Sequence, residues 1–398
     1  MFSSFKIRDF RLFWVGSFIS LTGTWLQQVA LSWLIFKMTG SSLLLGLVGF
    51  FSSIPIFMFS LFGGVIADRV QKRKVLIFTQ TLFLVSAFIL GTMTQLKIIT
   101  TRDIIIIAFL NGVILAFDAP LRQAMVVEVV GRPNLLNAIA LNSAAFNSAR
   151  FIGPALAGIL IASIGMAGCF YLNAVSFLAV IFALILMRTK SSHQNNKGRF
   201  WFELKEGLLF IKHDRVILAL LTTMGVLSLF GISYVILLPV FVIEVFKKDA
   251  VYLGYLMSFM GLGALFASLC LAKFSSFRIK GKILLSMLLG FSGILILFGI
   301  NKSFKMALFY VLLMGYFSVI CMAIINTLLQ ISITDEFRGR VLSVFTLTFL
   351  GLSPFGNLLA GWLAYLIQAP LIVSFGGIIC VVLIIVIRIR NPEVFRLP

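Results

Sequence analysis

Charged side chains are scarce in this sequence of 398 residues, and the residues that most enzymes use for catalysis are scarcer still. Only 12% of the residues are charged, whereas 61% are hydrophobic. Acidic residues number 13 and histidines 2, and the 4 cysteines share no C-x-x-C spacing. A soluble domain typically carries about 25% charged residues. The composition therefore excludes an ordinary soluble protein, and it offers no residue cluster for a metal site or a cofactor.

The sequence consists largely of long apolar runs. Each run approaches or exceeds the roughly 20 residues that a helix needs to cross a bilayer core. Because the runs are continuous and do not alternate, they are typical of transmembrane helices and not of barrel strands. We predict an all-α polytopic membrane protein whose twelve spans lie near residues 12–36, 44–67, 75–96, 104–121, 135–164, 168–187, 216–244, 251–272, 283–300, 304–330, 341–367 and 370–387.

Lysine and arginine are distributed unevenly between the two sides of these spans. Of the 33 basic residues, twenty-five fall in segments on the N-terminal side and seven on the opposite side, and Arg150 lies inside a span. Loops rich in Lys and Arg remain in the cytoplasm. We therefore expect both termini to be cytoplasmic. The formal net charge of +20 follows from the same distribution, so nucleic acid is not an expected partner.

One long polar segment divides the chain into two halves of six spans each. We predict an N-terminal bundle over residues 1–188, a cytoplasmic linker with an interfacial helix over 189–215, and a C-terminal bundle over 216–398. The hexapeptide GPALAG at 153–158 also has an echo in GNLLAG at 356–361, in the fifth span of each half. Internal repeats of this kind are typical of transporters, whose substrate site lies between the halves.

The stretch GGVIADRVQKRK, residues 63–74, concentrates charge between the second and third spans. The small Gly64 allows another helix to approach closely. Asp68 needs a separate explanation, because an acid adds nothing to the retention of basic loops in the cytoplasm. We expect it to act in gating, by facing either the positive N-terminal end of span eleven or Arg122. Either contact would hold the two halves together in the cytoplasm-closed state and break on opening. Lys72 and Lys74 are expected only to anchor the topology.

This stretch resembles the G-x-x-x-D-R-x-G-x-R/K-R/K signature of the major facilitator superfamily. Gln71 stands at the second glycine of the signature, and the matching residues are Gly64, Asp68, Arg69, Arg73 and Lys74. Residues 39–49, 118–160, 206–217 and 335–345 resemble the drug- and siderophore-exporting branch, which includes macrolide-efflux and enterobactin-exporter-like proteins. The resemblance implies twelve helices in two six-helix pseudo-repeats, and secondary active efflux from a bacterial cytoplasmic membrane, driven by proton antiport.

A glycine-proline pair lies in the middle of span five, at Gly153 and Pro154. Proline removes a backbone donor and kinks a helix, so together with Gly158 it predicts a bendable helix. A similar motif in the superfamily marks antiporters. Ordinary packing of small residues between helices is the alternative explanation.

Arg150 is the only basic residue deep inside an expected span. It lies about 15 residues into span five, roughly 22 Å along the helix axis, where a charge costs at least about 2.5–3.5 kcal/mol. Ser143, Asn147, Arg150 and Pro154 share one helix face, and Asn142 flanks it. We predict that Arg150 faces a central cavity and either binds an anionic group of the substrate or pairs with an acid. A purely structural hydrogen bond between helices is the alternative.

Other polar side chains in the spans are expected to line the cavity or to bridge helices, because buried polar groups in lipid need partners. They are Thr24, Trp25, Gln27, Gln28, Asn111, Tyr234, Tyr316 and Asn357. Proton coupling needs a titratable group in the transport path. Only Asp118 and Glu244 lie within or at the rim of an expected span, and Asp118 is the candidate. Its alternative role is to cap the turn at Ala119 and Pro120.

These observations predict an exporter of amphipathic small molecules that works by alternating access. The expected partners are the substrate, membrane lipid and protons, the expected oligomeric state is a monomer, and no cofactor or metal is expected. Substrate-specific uptake, or transport of one lipid or siderophore, is the alternative within the same class. An integral membrane enzyme would need clustered His, Asp or Cys near one membrane interface, and the sequence contains no such cluster.

Overall fold

The described part of the chain is helical. A computed structural model describes residues 3–188, 211, 214–273, 280–333 and 337–396. Among these residues, nine helices are long and apolar enough to cross a membrane. One of them, Thr101–Leu186, contains non-helical backbone at Gly131 and Gly165 and therefore divides into three. Together with the helix Arg8–Thr39, this architecture is consistent with the expected number of twelve.

The helices are labelled in chain order. They are α1 (Arg8–Thr39), α2 (Ser42–Arg69), α3 (Lys72–Gln95), α4 (101–130), α5 (132–164), α6 (166–186), α7 (Arg215–Val245), α8 (Ala250–Lys273), α9 (Lys280–Ile300), α10 (Phe304–Ser332), α11 (Arg338–Leu366) and α12 (Ala369–Arg390). Short 3-10 helices, Ser3–Lys6 and Pro392–Arg396, flank them. Most of the expected linker lies outside the described residues, so its interfacial helix stays a prediction.

Local sequence signals explain several helix ends. The helix α4 begins with a capping box, in which Thr100 and Asp103 satisfy each other's backbone amides. Gly131 (φ 67°) and Gly165 (φ 75°) take a left-handed backbone that other residues rarely adopt, which turns the chain sharply on each side of α5. The prediction that span four ends near residue 121 was wrong for the helix, which continues to residue 130.

The helix α7 is less regular than its sequence predicts. Two π-helical turns, Leu227–Gly231 and Phe241–Val245, flank a short α-helix at Tyr234–Val240. A single π turn within an α-helix is often found at functional sites. A π turn changes the backbone hydrogen-bond pattern without changing the hydrophobic pattern, so the apolar run 216–244 gave no sign of it.

The chain forms two compact units. The first comprises the described residues within Met1–Gly40, Phe51–Asn196 and Lys248–Ser258, and the second those within Ser41–Phe50, Lys197–Lys247 and Phe259–Pro398. Each unit thus includes the first turns of one helix whose remainder belongs to the other, namely α8 in the first unit and α2 in the second. The division into bundles at 1–188 and 216–398 stays a prediction.

The two matching hexapeptides occupy equivalent packing positions in the two units. In the first unit, a methyl group on Gly153 of α5 would lie 2.8 Å from the carbonyl oxygen of Thr22 in α1. In the second, a methyl group on Gly356 of α11 would lie 2.7 Å from the carbonyl oxygen of Leu229 in α7. Both distances are too short for a real side chain, so glycine is what allows each helix pair to cross. The sequence echo therefore corresponds to a repeated role of its first glycine in helix packing.

The last glycine of each hexapeptide makes a second close crossing. A methyl group on Gly158 would lie 3.3 Å from the Cα of Gly254 in α8, and one on Gly361 would lie 2.7 Å from the Cα of Gly46 in α2. The non-helical residues within Thr101–Leu186 are Gly131 and Gly165, so α5 continues through Gly153 and Pro154. The packing supports the close-approach explanation for these glycines, and the bend stays a prediction.

Candidate functional site

Arg150 lies over the ring of Trp25 in the first unit. Its guanidinium carbon is 5.7 Å from the ring centroid, within the range of a cation–π contact. Trp25 also meets Phe146 edge to face, with ring centroids 5.8 Å apart. The close crossing at Gly153 brings α1 and α5 together one helical turn away. The fold therefore joins two predicted site residues that are far apart in the sequence into one cationic and aromatic surface.

The polar face of α5 changes in exposure along the helix. Ser143 is exposed, Asn142, Asn147 and Arg150 are half-buried, and Pro154 is buried. The amide nitrogen of Asn147 donates a hydrogen bond to the carbonyl oxygen of Ser143, at 2.9 Å. The predicted face is thus one surface that is exposed at Ser143 and buried within the unit at Pro154.

Two glutamines of α1 have different surroundings. The side-chain oxygen of Gln27 accepts a hydrogen bond of 2.7 Å from the amide of Asn173, which is buried in α6. Gln27 therefore bridges two helices. Gln28 and Thr24 are exposed, and Thr24 donates to the carbonyl oxygen of Ser20 in its own helix. Sequence reasoning missed Asn173, although an amide inside an apolar run was the available signal.

Asn111 places a buried polar atom inside α4. Within the described residues, its side-chain oxygen is buried and has no hydrogen-bond partner. A buried acceptor without a partner costs free energy, so water or a polar group of a ligand is suited to this position. Asn111 stays a candidate for the lining of a cavity.

The candidates of the second unit are mainly involved in packing. Tyr234 is buried, and its hydroxyl lies 3.2 Å from the sulfur of Met260 in α8. Tyr316 is half-buried beside Phe317, with ring centroids 5.8 Å apart. Asn357 lies in the crossing of α11 and α2, where a methyl group on Gly46 would be 2.7 Å from its carbonyl oxygen. Their role in a cavity stays a prediction.

Asp118 lies at the centre of a polar network in the first unit. It is only 1% exposed. Its carboxylate accepts hydrogen bonds from Thr79 at 2.6 Å, from Gln80 at 2.7 Å and from Arg122 at 2.5 Å. Arg122 in turn donates to the hydroxyl of Ser17 at 3.3 Å. The network connects α1, α3 and α4, so Asp118 does more than cap a turn.

A second buried ion pair joins α3 to α4 nearby. The ammonium nitrogen of Lys72 lies 2.5 Å from a carboxylate oxygen of Glu128. The exposed fractions of the two side chains are 7% and 14%. The prediction that Lys72 only anchors the topology was therefore wrong. Glu128 was overlooked because span four was expected to end before it.

The signature residues are described only in part. The backbone of Gly64, Asp68 and Arg69 belongs to α2, but their side chains are not among those described. Arg73 donates a hydrogen bond of 2.6 Å to the carbonyl oxygen of Ile185, and Lys74 is exposed. The two proposed contacts of Asp68 thus stay predictions.

Over the residues that the structure describes, no group of three or more His, Cys, Asp or Glu side chains could hold a metal ion.

Sequence comparison identifies relatives that are transporters. The chain matches the family described as transmembrane secretion effector over residues 1–396. It is 27% identical to the staphyloferrin A transporter of Staphylococcus aureus over 351 residues, which cover 88% of both chains. It is 23% identical to the enterobactin exporter EntS of Shigella boydii over 337 residues, which cover 85% of this chain and 80% of the exporter.

Solved structures of transporters share the fold. A POT peptide transporter in complex with alafosfalin matches with a TM-score of 0.78 at 11% identity, over 98% of this chain and 95% of its own. A bacterial homologue of the human lysosomal transporter Spinster matches with a TM-score of 0.74 at 12% identity, over 100% and 99%. At such identities the likeness concerns the fold alone. The family match over residues 1–396 establishes that this chain belongs to the transmembrane secretion effector family of the major facilitator superfamily, as a multi-pass membrane transporter and not an enzyme.

Proposed function

We propose that this protein exports an amphipathic small molecule carrying an anionic group, by alternating access and proton antiport. It works as a monomer surrounded by lipid in a bacterial cytoplasmic membrane, with both termini in the cytoplasm. Relatives named as a staphyloferrin A transporter and as an enterobactin exporter support a siderophore-like substrate. A relative named as a multidrug efflux pump, 22% identical, supports a drug-like substrate instead.

The observation that carries this proposal is the position of Arg150 over the ring of Trp25. Charged groups at membrane depth are costly and mark substrate or ion pathways. A guanidinium binds carboxylates through paired hydrogen bonds, and an indole ring offers a large apolar surface. Together they suit a molecule with an acidic group beside an aromatic or aliphatic body.

Replacing Arg150 with alanine is expected to reduce transport of an anionic substrate about tenfold or more, because a hydrogen bond to a charged group contributes roughly 1.5–3 kcal/mol. Arg150→Lys should retain part of the activity. The measurement is transport of amphipathic carboxylates and of uncharged analogues in proteoliposomes of known orientation. Arg102→Ala, an exposed arginine at the start of α4, is the control and should transport normally.

Normal transport by Arg150→Ala would contradict the site. An equal loss for charged and uncharged compounds would show that Arg150 acts structurally. Transport of the substrate only toward the cytoplasmic side would contradict export and favour the alternative of substrate-specific uptake.

Asp118 is the proposed proton-coupling residue. Protonation of the Asp118 carboxylate would remove the negative charge that attracts Arg122 and would release this arginine. The protonated carboxyl group would still have an oxygen that accepts hydrogen bonds from Thr79 and Gln80. The network would then differ between the two protonation states, which is what coupling to a conformational change requires.

Asp118→Asn is expected to abolish the response of transport to an imposed pH gradient, because an amide has a similar shape but neither gains nor loses a proton over this pH range. Exchange of substrate across the membrane without a gradient should continue. Both are measured in the same proteoliposomes, with the exposed acid Glu244 changed to Gln as the control. A retained gradient response would exclude Asp118 as the coupling group.

A further inference from the structure

A groove runs along the surface of the first unit between α1 and α6. Its volume is about 450 Å³, within the range of small-molecule sites. Its floor includes Gly16, Ala179 and Ala183. A methyl group on Gly16 would lie 2.8 Å from the carbonyl oxygen of Ala179. The two helices therefore touch along small residues, and a furrow remains where larger side chains would have filled the space.

The walls of this groove are apolar and exposed. Val15 is 50% exposed on one side, and Phe182 is 59% exposed on the other. Both lie in helices of the membrane-spanning bundle, where apolar faces that other helices leave uncovered are in contact with lipid chains. The groove therefore opens toward the hydrocarbon of the bilayer, and its contents must be apolar over most of their length.

One end of the same groove is basic. Arg8 and Arg11 both line it and both are exposed. Arg8 donates a hydrogen bond of 3.3 Å to the carbonyl oxygen of Leu186 and lies 3.6 Å from Asp9. The carboxylate of Asp9 also accepts a hydrogen bond from the backbone nitrogen of Arg188 at 2.9 Å. Asp9 is buried, so the charge presented at the surface of the groove is positive.

The length of the groove matches one leaflet. From Arg8 to Ile19 the helix advances eleven residues, or roughly 16 Å, and half of a bilayer core is about 15 Å thick. Arginines at the end and apolar walls along the rest thus match a molecule with an anionic head and a chain one leaflet long. Basic pockets between transmembrane helices bind anionic lipid head groups.

We propose that the groove between α1 and α6 binds one anionic phospholipid. Arg8 and Arg11 hold its phosphate, and one acyl chain lies on the floor formed by Gly16, Ala179 and Ala183. The inference does not depend on the direction of transport or on the substrate. The occupant is a resident lipid and not the exported molecule, because the groove follows the outer surface of the unit from the basic end of α1.

The proposal is tested by native mass spectrometry of the full chain in detergent, titrated with dioleoyl phosphatidylglycerol or dioleoyl phosphatidylcholine. These lipids have the same chains and differ in head-group charge. We expect the first phosphatidylglycerol to bind at least tenfold more tightly. Arg8→Gln with Arg11→Gln should weaken that binding by roughly thirtyfold, about fivefold per arginine. Arg11→Gln alone, which leaves the contact of Arg8 with Leu186 intact, should weaken it about fivefold.

Two further variants separate the groove from general attraction to charge. Ala179→Leu fills the floor without changing either arginine and should weaken binding of phosphatidylglycerol severalfold. Arg388→Gln with Arg390→Gln removes two exposed arginines at the end of α12 and should leave it unchanged. The proposal is overturned if the Arg8 and Arg11 double variant and the Arg388 and Arg390 double variant bind phosphatidylglycerol equally well, or if Ala179→Leu binds it as tightly as the unchanged protein. It is also overturned if the groove variants change dimer formation and not lipid binding.

Discussion

Replacing Gly254 or Gly361 with alanine is expected to reduce transport at least tenfold. A methyl group on Gly254 would lie 2.6 Å from the carbonyl oxygen of Pro154, and one on Gly361 would lie 2.6 Å from that of Ser42. Backbone atoms at these distances move only if the helices separate. Overpacking of this kind costs typically 1–3 kcal/mol. Gly158 and Gly254 fall in different predicted bundles, 1–188 and 216–398, as do Gly46 and Gly361, so the proposed alternating access would require these crossings to form and separate in every cycle. The measurement is the initial rate of transport in proteoliposomes.

The control for this prediction is Gly293→Ala in α9, where no atom lies within 4 Å of the added methyl group. Alanine is the better helix former, so this variant should transport normally and be at least as stable. Thermal unfolding of each purified variant separates a blocked cycle from a misfolded protein. Normal transport by both Gly254→Ala and Gly361→Ala would contradict a role for the crossings in the cycle.

Lys72→Ala is expected to destabilise the protein strongly, by about 3 kcal/mol. The side chains of Lys72 and Glu128 are almost fully buried, and a buried charge that loses its partner is costly. Replacing both, as Lys72→Met with Glu128→Leu, should restore most of the stability, because an apolar pair of similar volume avoids the cost of desolvating two charges. The free energy of unfolding is measured by titration with a denaturing detergent in mixed micelles.

Lys74→Ala is the matched control, since Lys74 lies two residues away and is exposed. Its loss should change the stability by less than about 0.5 kcal/mol. If Lys72→Ala is as mild as this control, the ion pair contributes little. If the double variant is as unstable as Lys72→Ala, the loss reflects packing and not an uncompensated charge on Glu128.

Arg150 and Asp118 illustrate how far the sequence predicts the site. The position of Arg150 within an apolar run identified it as unusual, because few charges occur there and each is costly. Its contact with Trp25 was not predictable, since Trp25 lies in another helix and the register between two helices depends on the packing of their side chains. The same holds for Asp118, whose partners Thr79 and Gln80 are ordinary polar residues when viewed within their own helix.

The helix boundaries show a similar division. Apolar length predicted most spans to within a few residues, because the thickness of the bilayer sets the length of each helix. It failed at the end of α4, where residues 122–130 continue the helix although they carry charge. It also failed for the π turns of α7, which alter the hydrogen-bond pattern without altering the hydrophobic pattern.

The sequence by itself determined that this protein is a polytopic helical membrane protein with an internal repeat, and its signature stretch indicated the superfamily. These features follow from hydrophobicity and from local motifs, which are properties of consecutive residues. The tertiary structure decided which residues meet: Arg150 with Trp25, Asp118 with Arg122, Thr79 and Gln80, and Gly361 with Gly46. Such pairs depend on the rotation and depth of each helix relative to its neighbours. Side-chain packing over the whole unit determines both, so neither can be obtained from any single segment.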